Sequence, residues 1–576
     1  MRTEYCRNIS TKFLLKKVCL CGWIEKIKNF GHFLFFYIKD ITGLTQIIVK
    51  KENIKKFKKI KKLKNGFCVQ ISGTINKRSK KNINKNIING DVEVHAKKIN
   101  ILSKSKNIPI DLLKKNKEKN RLKYRYLDLR NENMQKNLII RSKIIYLIHK
   151  FMQKNNFIHI ETPIITKSTP EGARDYIIPS RKHIGKFYAL PQSPQIFKQL
   201  LMISGFDKYY QIAKCFRDED TRSNRQPEFT QIDIEASFID EKKIKKISEN
   251  LINKIFKKFC KIKFKNIKTI TYKKSIKKYG TDSPDIRNPL KIIELTKLFK
   301  KNYILKKNNN KIIGIYISKK NNLSLKKIKY YKNIIKKYNI NKVFFIKILK
   351  NINKINIYKN IEINKKIIKK IIKLYNVKEN DIIIISITNK KNIYKIFGKI
   401  IKKISNDFNL IDKNAYKAIW IKEFPMFKKN KNGKFSTVHH PFTLPKTKSI
   451  KKIKKYPNKI LSKSYDLIIN GKEIGGGSVR INNLKMQKLI FKIINLSKKD
   501  QKKKFGFFLN ALKYGPPPHS GIALGLDRIM MIITKNLDIK NIIAFPKTSK
   551  SSCIMTNAPN KIEKSFLKEL YIKTKK

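Results

Sequence analysis

Over the first hundred positions, apolar residues come in short runs that alternate with polar ones. Residues 18–24, 33–38, 44–49 and 67–75 carry the two-residue period of half-buried strands. Gly22, Gly31, Gly43, Gly66, Gly73 and Gly90 punctuate them. Such short strands, five in about 100 residues, are expected to close into a small β-barrel over residues 1–105. From residue 136 the period lengthens. Leu138, Ile139, Ile144, Ile145, Leu147, Ile148 and Phe151 follow a helical stripe that ends near Asn155-Asn156. A strand from Ile158 is then stopped by Pro163. Residues 209–216 and 229–235 read as two strands joined by a charged loop. In the second, Thr230, Ile232 and Ile234 share one face, and Phe229, Gln231, Asp233 and Glu235 share the other. Leu526, Ile529, Met530 and Ile533 mark a late helix. Residues 289–420 differ: they are dense in Lys, Ile and Asn, hold no arginine, and contain only Gly314 and Gly398 as glycines. Strands are expected there at 313–317, 343–348 and 381–387. The fold class expected is multidomain α+β. A barrel (1–105) and a linker (106–135) precede an antiparallel-sheet domain in two parts (136–288 and 421–576), which an α+β domain (289–420) interrupts.

Composition adds three points. The chain of 576 residues is 41% hydrophobic, enough for several cores. Its formal charge of +96 permits a polyanion partner such as RNA or DNA. The lysines run through the whole length, however, so most read as a solvated coat. The seven cysteines are scattered, with neither a disulfide framework nor zinc-ligand spacing. No run has membrane-span length and no signal peptide is evident, so a cytoplasmic protein is expected.

Among the 135 basic residues only 15 are arginines, and Arg217, Arg222 and Arg225 fall within residues 216–229. A guanidinium that survives among lysines marks a place needing a planar fork, which grips phosphate or carboxylate with paired hydrogen bonds. Asp218, Glu219 and Asp220 stand beside them, and a solvated hairpin explains those acids equally well. Arg528, in the first turn of the late helix, faces an end that favours anions. Between these lies Asp466…Glu473-Ile-Gly-Gly-Gly-Ser-Val-Arg480. Its two carboxylates could hold Mg²⁺, and Gly475–Gly477 let a backbone approach a ligand closely.

Together these motifs resemble class II aminoacyl-tRNA synthetases. Pro163 after the long helix resembles motif 1, Phe216-Arg217-Asp218-Glu219 with Phe229 motif 2, and Gly525-Leu526-Asp527-Arg528 motif 3. The bacterial aspartyl branch is resembled most closely. The segments that carry this are Thr169-Pro-Glu-Gly-Ala-Arg-Asp175, Leu190-Pro-Gln-Ser-Pro-Gln-Ile-Phe-Lys-Gln199, Arg225-Gln-Pro-Glu-Phe-Thr-Gln-Ile-Asp233, His439-His-Pro-Phe-Thr443 and Phe545-Pro-Lys547.

The resemblance implies an oligonucleotide-binding barrel, ATP, L-aspartate and tRNA-Asp as substrates, Mg²⁺ as cofactor, and a homodimer formed through motif 1. It implies catalytic roles for Arg217, Glu219 and Arg528, and ATP contacts from Arg217, Asp218, Glu219, Gln226, Phe229, Glu473, Gly525, Leu526, Asp527 and Arg528. Aspartate would be held by Glu171, Ser193, Gln195, Lys198, Arg217, Asp233, His439 and Arg480, and Mg²⁺ by Asp466 and Glu473. Phe35, Gln46 and Glu93 would meet the anticodon. Two cations, Lys198 and Arg480, would reject asparagine because an amide leaves them uncompensated. Two features depart from the pattern. Lys26-Ile27-Lys28 replaces an arginine run, and Ile384–Asn389 lacks the Gly-Ala-Asp signature of the inserted domain. Two alternatives stay open: an enzyme that also charges tRNA-Asn, and an RNA-binding paralogue without catalysis.

Overall fold

The computed structural model describes the chain apart from residues 31–32, 51, 53–59, 113, 115, 170–171, 220, 300–309, 319–323, 341, 349–354, 359–364, 380 and 575–576. It forms two compact units, residues 1–140 with 543–561, and residues 141–542 with 562–576.

In the first unit, β1 (Lys17–Asn29), β2 (Phe33–Lys39), β3 (Leu44–Lys50), β4 (Cys68–Lys77) and β5 (Val92–Ser103) close a barrel in the order β1-β2-β3-β5-β4. The β3–β5 pair is parallel and the other pairs are antiparallel. The alternating apolar positions point inward, as their period requires. Val18, Leu20, Phe36, Ile38, Ile47, Val49, Ile71 and Val94 fill one core. The fifth strand, which the sequence pattern did not delimit, is Val92–Ser103. The segment expected as a linker carries two short helices, Glu118–Lys123 and Arg125–Asp128. Arg125 forks onto Asp128 (2.5 Å) and onto the carbonyls of Ile543 and Ala544 (both 2.8 Å). Residues 543–561 therefore belong to this unit, not to the domain running from 421 to the C-terminus.

The second unit is built on an eight-stranded sheet. Its strands are β6 (Ile158–His159), β7 (Lys208–Phe216), β8 (Glu228–Ser237), β9 (Lys268–Thr271), β10 (Ala418–Lys422), β11 (Ser464–Ile469), β12 (Lys472–Val479) and β13 (His519–Gly525). Their spatial order is β9-β10-β11-β12-β13-β8-β7-β6. The central pairs are antiparallel, while β6–β7 and β9–β10 are parallel. Strand β6 is shorter than its pattern suggested and ends well before Pro163. Three helices matter below: α1 (Glu132–Lys154), α2 (Gln195–Ile203) and α3 (Leu526–Ile533).

The insertion is an antiparallel five-stranded sheet in the order Ile292–Glu294, Lys311–Ile317, Ile382–Thr388, Val343–Ile348 and Ile355–Tyr358. Its middle strand explains the unbroken isoleucine run. Ile382 and Ile384 enter one core with the helices Leu325–Lys336 and Ile393–Asp407, while Ile383 and Ile385 enter a second with Lys365–Tyr375. A strand covered on both faces needs apolar residues at every position. Ala418–Lys422 already belongs to the main sheet, so the insertion ends before residue 418.

Candidate active site

A cavity of about 710 Å³ opens on the face of the main sheet formed by β8, β12 and β13. Strand period places Phe229, Gln231 and Asp233 along its floor, with Glu235 beyond them at no solvent exposure. Helix α2 sets Lys198 over this end. Its Nζ lies 2.9 Å from Asp233 Oδ1 and 3.3 Å from Glu235 Oε2. Just past β12, Arg480 forks onto Glu235, with Nε to Oε1 at 2.8 Å and Nη2 to Oε2 at 2.9 Å. Its Nη1 donates to Ser478 Oγ (2.7 Å) and to His440 Nε2 (2.5 Å). All four charged groups are buried.

Each charge in this cluster shapes its neighbours. Burial opposes ionisation of Glu235, but Arg480 and then Lys198 hold its carboxyl down at about 2. Burial, and then Arg480, push the His440 imidazole well below its ordinary range, so it accepts from Arg480 as a neutral ring. Two buried carboxylates thus face the two cations within the protein. Four of the five guanidinium N–H groups have partners among the described residues, and Lys198 is engaged twice. What remains is one donor from each cation. Two spare donors suit the two oxygens of a carboxylate better than an amide, whose NH₂ would face one of them. Asp233 Oδ2, Gln195 Nε2 and Arg217 Nε are buried and unpartnered among the described residues. An acceptor and two donors left bare in one cavity suit an ammonium and a carboxylate of the same ligand.

The other end of the cavity is lined by Arg217, Glu219, Gln226, Gly525, Asp527 and Arg528. The guanidinium of Arg217 lies 4.9 Å above the Phe229 ring. Glu219 pairs with Arg225 at 2.9 Å across the loop between β7 and β8. Arg528 is in the first turn of α3, where Nη1 donates to the Glu473 carbonyl at 2.7 Å. Asp527 is turned inward: it accepts from Arg141 (2.5 Å) and from the Thr230 N–H (2.9 Å), so it supports the floor. Leu526 is fully buried, and the Asp218 N–H donates to the Arg174 carbonyl at 3.1 Å. Ser193 lines the cavity, and Glu171 lies outside the described residues.

Asp466 on β11 stands opposite Gly476, and Glu473 on β12 opposite Ile468, across a hairpin turned by Asn470 and Gly471, both at positive φ. Both carboxylates lie within 4 Å of where a Gly476 Cβ would stand. His439 Nε2 meets Asp466 Oδ1 at 3.1 Å. Burial lowers the His439 pKa, but Asp466 outweighs it and the net shift is upward. Removal from water, and then the Asp466 carboxylate, push the Glu473 pKa up. Two oxygen donors that repel one another are the donor set a hard divalent cation relieves. The three glycines that follow Glu473 on β12 divide. A Cβ on Gly475 or Gly477 would stand 2.5 or 2.3 Å from a carbonyl of β13, so these two serve strand pairing. One on Gly476 would meet Asp466 Oδ1 at 2.9 Å, inside the cavity.

On the barrel, Gln46 Nε2 donates to Glu93 at 3.0 Å, and Phe35 contacts Phe30 edge-on at 5.4 Å. His95 (3.1 Å) and Arg78 (3.7 Å) also attend Glu93.

Residues 117–549 match the tRNA synthetases class II (D, K and N), and residues 18–102 match the OB-fold nucleic acid binding domain. The chain belongs to the class II tRNA synthetases. Relatives that cover the full length carry the name aspartate–tRNA ligase. One from Buchnera aphidicola subsp. Acyrthosiphon pisum (strain APS) is 49% identical over 100% of this chain and 99% of its own length. One from Buchnera aphidicola subsp. Schizaphis graminum is 48% identical over 99% of each chain. One from Blochmanniella pennsylvanica is 44% identical over 97% of this chain and 100% of its own. Among solved structures, the asparaginyl-tRNA synthetase of Pyrococcus horikoshii in complex with asparaginyl-adenylate superposes with a TM-score of 0.58. Its identity is 18%, and the match covers 95% of this chain and 98% of that one, a likeness of fold. Asparaginyl-tRNA synthetase from Entamoeba histolytica gives the same TM-score. The expected fold class stands: an OB-fold barrel and a class II catalytic sheet. No described helix is long and apolar enough to cross a membrane.

Within this family site, sequence reasoning assigned no role to Glu235, Ser478 or His440. Glu235 shares its strand face with Asp233, and His440 follows His439, so period and adjacency were the available signals. Arg78 and His95 on the barrel had only the scarcity of their residue types.

Proposed function

We infer that this chain is an aspartate–tRNA ligase. It activates L-aspartate with ATP, releases pyrophosphate, and transfers the aspartyl group to the 3′ end of tRNA-Asp, releasing AMP. The observation that carries the substrate choice is the buried quartet Lys198, Asp233, Glu235 and Arg480 beneath a cavity with a nucleotide-sized second half. The remaining donors of Lys198 and Arg480 take the side-chain carboxylate. Asp233 Oδ2 takes the ammonium, with Ser193 and Gln195 alongside and His439 near the amino acid.

Arg217 holds the α-carboxylate against the α-phosphate, so that a carboxylate oxygen attacks phosphorus as the bond to pyrophosphate breaks. Charge leaves with pyrophosphate toward Arg528. Phe229 and Glu219, with Gln226, hold the adenosine by its face and its amino group. The 3′-hydroxyl of the tRNA then attacks the activated carbonyl and AMP departs. The chain's contribution is positioning and fixed charge rather than covalent chemistry. Asp466 and Glu473 would hold Mg²⁺, which when bound neutralises phosphate charge. Phe35, Gln46 and Glu93 on the barrel read anticodon bases by stacking and edge hydrogen bonds.

A homodimer is supported by Tyr146 of α1, Ile158 of edge strand β6, and Ile164, Ile165, Ile177 and Phe187. All six are exposed in the chain alone. The function is tested by ATP–pyrophosphate exchange, expected with aspartate and not with asparagine or lysine. Exchange driven by asparagine or lysine instead would overturn it.

A further inference from the structure

A second cavity, of about 320 Å³, shares no lining residue with the active site. It forms where edge strand β9 runs into the helix Tyr272–Tyr279 and where the inserted sheet begins at Ile292–Glu294. Thr271 caps this helix by accepting from the Lys274 N–H at 3.2 Å. The first turn has no acidic residue and instead presents Lys273 and Lys274, the reverse of what the helix dipole favours. Lys277 and Lys278 complete the wall. The Lys278 ammonium is disfavoured first by burial and then by Lys291, Lys274 and Lys268. The one acid on the wall, Glu294, is already paired with Lys277 at 3.0 Å.

Four lysines therefore line a shallow concave surface whose single carboxylate is in use, and Lys268 and Lys291 lie near enough to act on Lys278. A dispersed lysine coat keeps its charges apart in water. Here four of them share one shallow depression, so their fields add over it. A multiply charged anion would relieve both the mutual repulsion and the unfavourable helix end. The volume suits a group with two phosphates.

We propose that this cavity binds a phosphate-bearing ligand, taking either a free di- or triphosphate or two successive phosphates of an RNA strand. The test uses the full chain, K274Q/K278Q, and a control of equal charge change on an exposed helix, K451Q/K454Q. Inorganic tripolyphosphate is titrated calorimetrically. Wild type and control are expected to take it at two sites, the active site and this one. K274Q/K278Q is expected to retain the first and to weaken the second about tenfold or more. Unchanged ATP–pyrophosphate exchange in all three proteins reports that the fold and the active site are intact.

A parallel titration with tRNA against salt separates the two sources. If RNA phosphates occupy the cavity, the slope of log K against log salt falls by about 1–2 in K274Q/K278Q relative to the control. An unchanged slope together with lost tripolyphosphate binding assigns the site to a free phosphate compound. Equal tripolyphosphate stoichiometry and affinity in wild type and K274Q/K278Q overturns the proposal.

Discussion

Replacing Arg480 with methionine tests the buried quartet through two readouts that separate. The guanidinium makes four contacts at 2.5–2.9 Å, two of them to Glu235. The substitution leaves Glu235 buried with Lys198 as its remaining ion-pair partner among the described residues, and breaking one side of a buried pair costs about 3–5 kcal/mol. Titration gives a similar size. Holding Glu235 at about 2 against an ordinary 4.5 corresponds to about 3 kcal/mol of stability. Because the folded value is depressed, that contribution is complete above about pH 4.5 and is lost as pH falls toward 2. R480M should therefore unfold at lower urea by about 3 kcal/mol at pH 7. In E235Q/R480M the stranded charge is gone, and most of that stability should return. Activity should not return with it. Loss of a charged donor to the substrate carboxylate lowers kcat/KM for aspartate in pyrophosphate exchange by about a hundredfold in both variants. The reasoning fails if R480M is as stable as wild type, or if the double variant regains aspartate-driven exchange.

Three further outcomes are expected. His440 and His519 are both held below 6.5, each by burial first, so the unfolded chain binds more protons as pH falls through 6.5 and stability declines on that limb. H440N should flatten the decline measured between pH 7 and 5, and an unchanged slope would show that His440 does not titrate there. I164D/I165D should sediment as a monomer if the apolar face of the motif 1 region is the dimer contact, whereas a dimer that persists would place the contact elsewhere. On the barrel, Q46A should raise KM for tRNA in aminoacylation by about five- to thirtyfold, as expected for one or two lost polar contacts near a base. It should leave pyrophosphate exchange, which needs no tRNA, at the wild-type rate; a fall in exchange would show that Gln46 acts on folding instead.

Strand positions in the barrel and in the insertion were legible because they depend on a local period. Residues 343–348, for instance, form the expected strand. The short β6 was not, since where a strand stops depends on whether its neighbour continues to offer partners, and only two residues pair with β7 here. The grouping of Lys198, Asp233 and Arg480 came through resemblance. Distances of 35 and 245 positions between bonded partners leave no periodic trace. Glu235 illustrates the limit most clearly. The strand pattern placed it on the right face, yet nothing local told a buried counter-ion from a solvated acid. That distinction is set by α2 and β12, which reach it from distant parts of the chain.

The scarcity of arginine was read as the mark of a ligand site, and the structure refines why that worked. Arg217, Arg480 and Arg528 do line the cavity. Others are forks inside the scaffold. Arg287 grips Asp285 at 2.9 and 2.7 Å and donates to the Ala415 carbonyl at 3.2 Å. Arg125 binds a carboxylate and two carbonyls, and Arg141 joins Asp527 to Thr230. What unites the two groups is several fixed N–H bonds made in one plane, a task an ammonium on a flexible stem performs poorly. Arginine thus marks geometric demand, whether the partner is substrate or protein. Location tells the cases apart: Arg125 and Arg287 bond carboxylates and carbonyls of the scaffold, whereas Arg217 and Arg480 line the cavity, where Arg217 Nε has no partner among the described residues. A guanidinium held at a cavity wall, not a guanidinium as such, is the signature of the site.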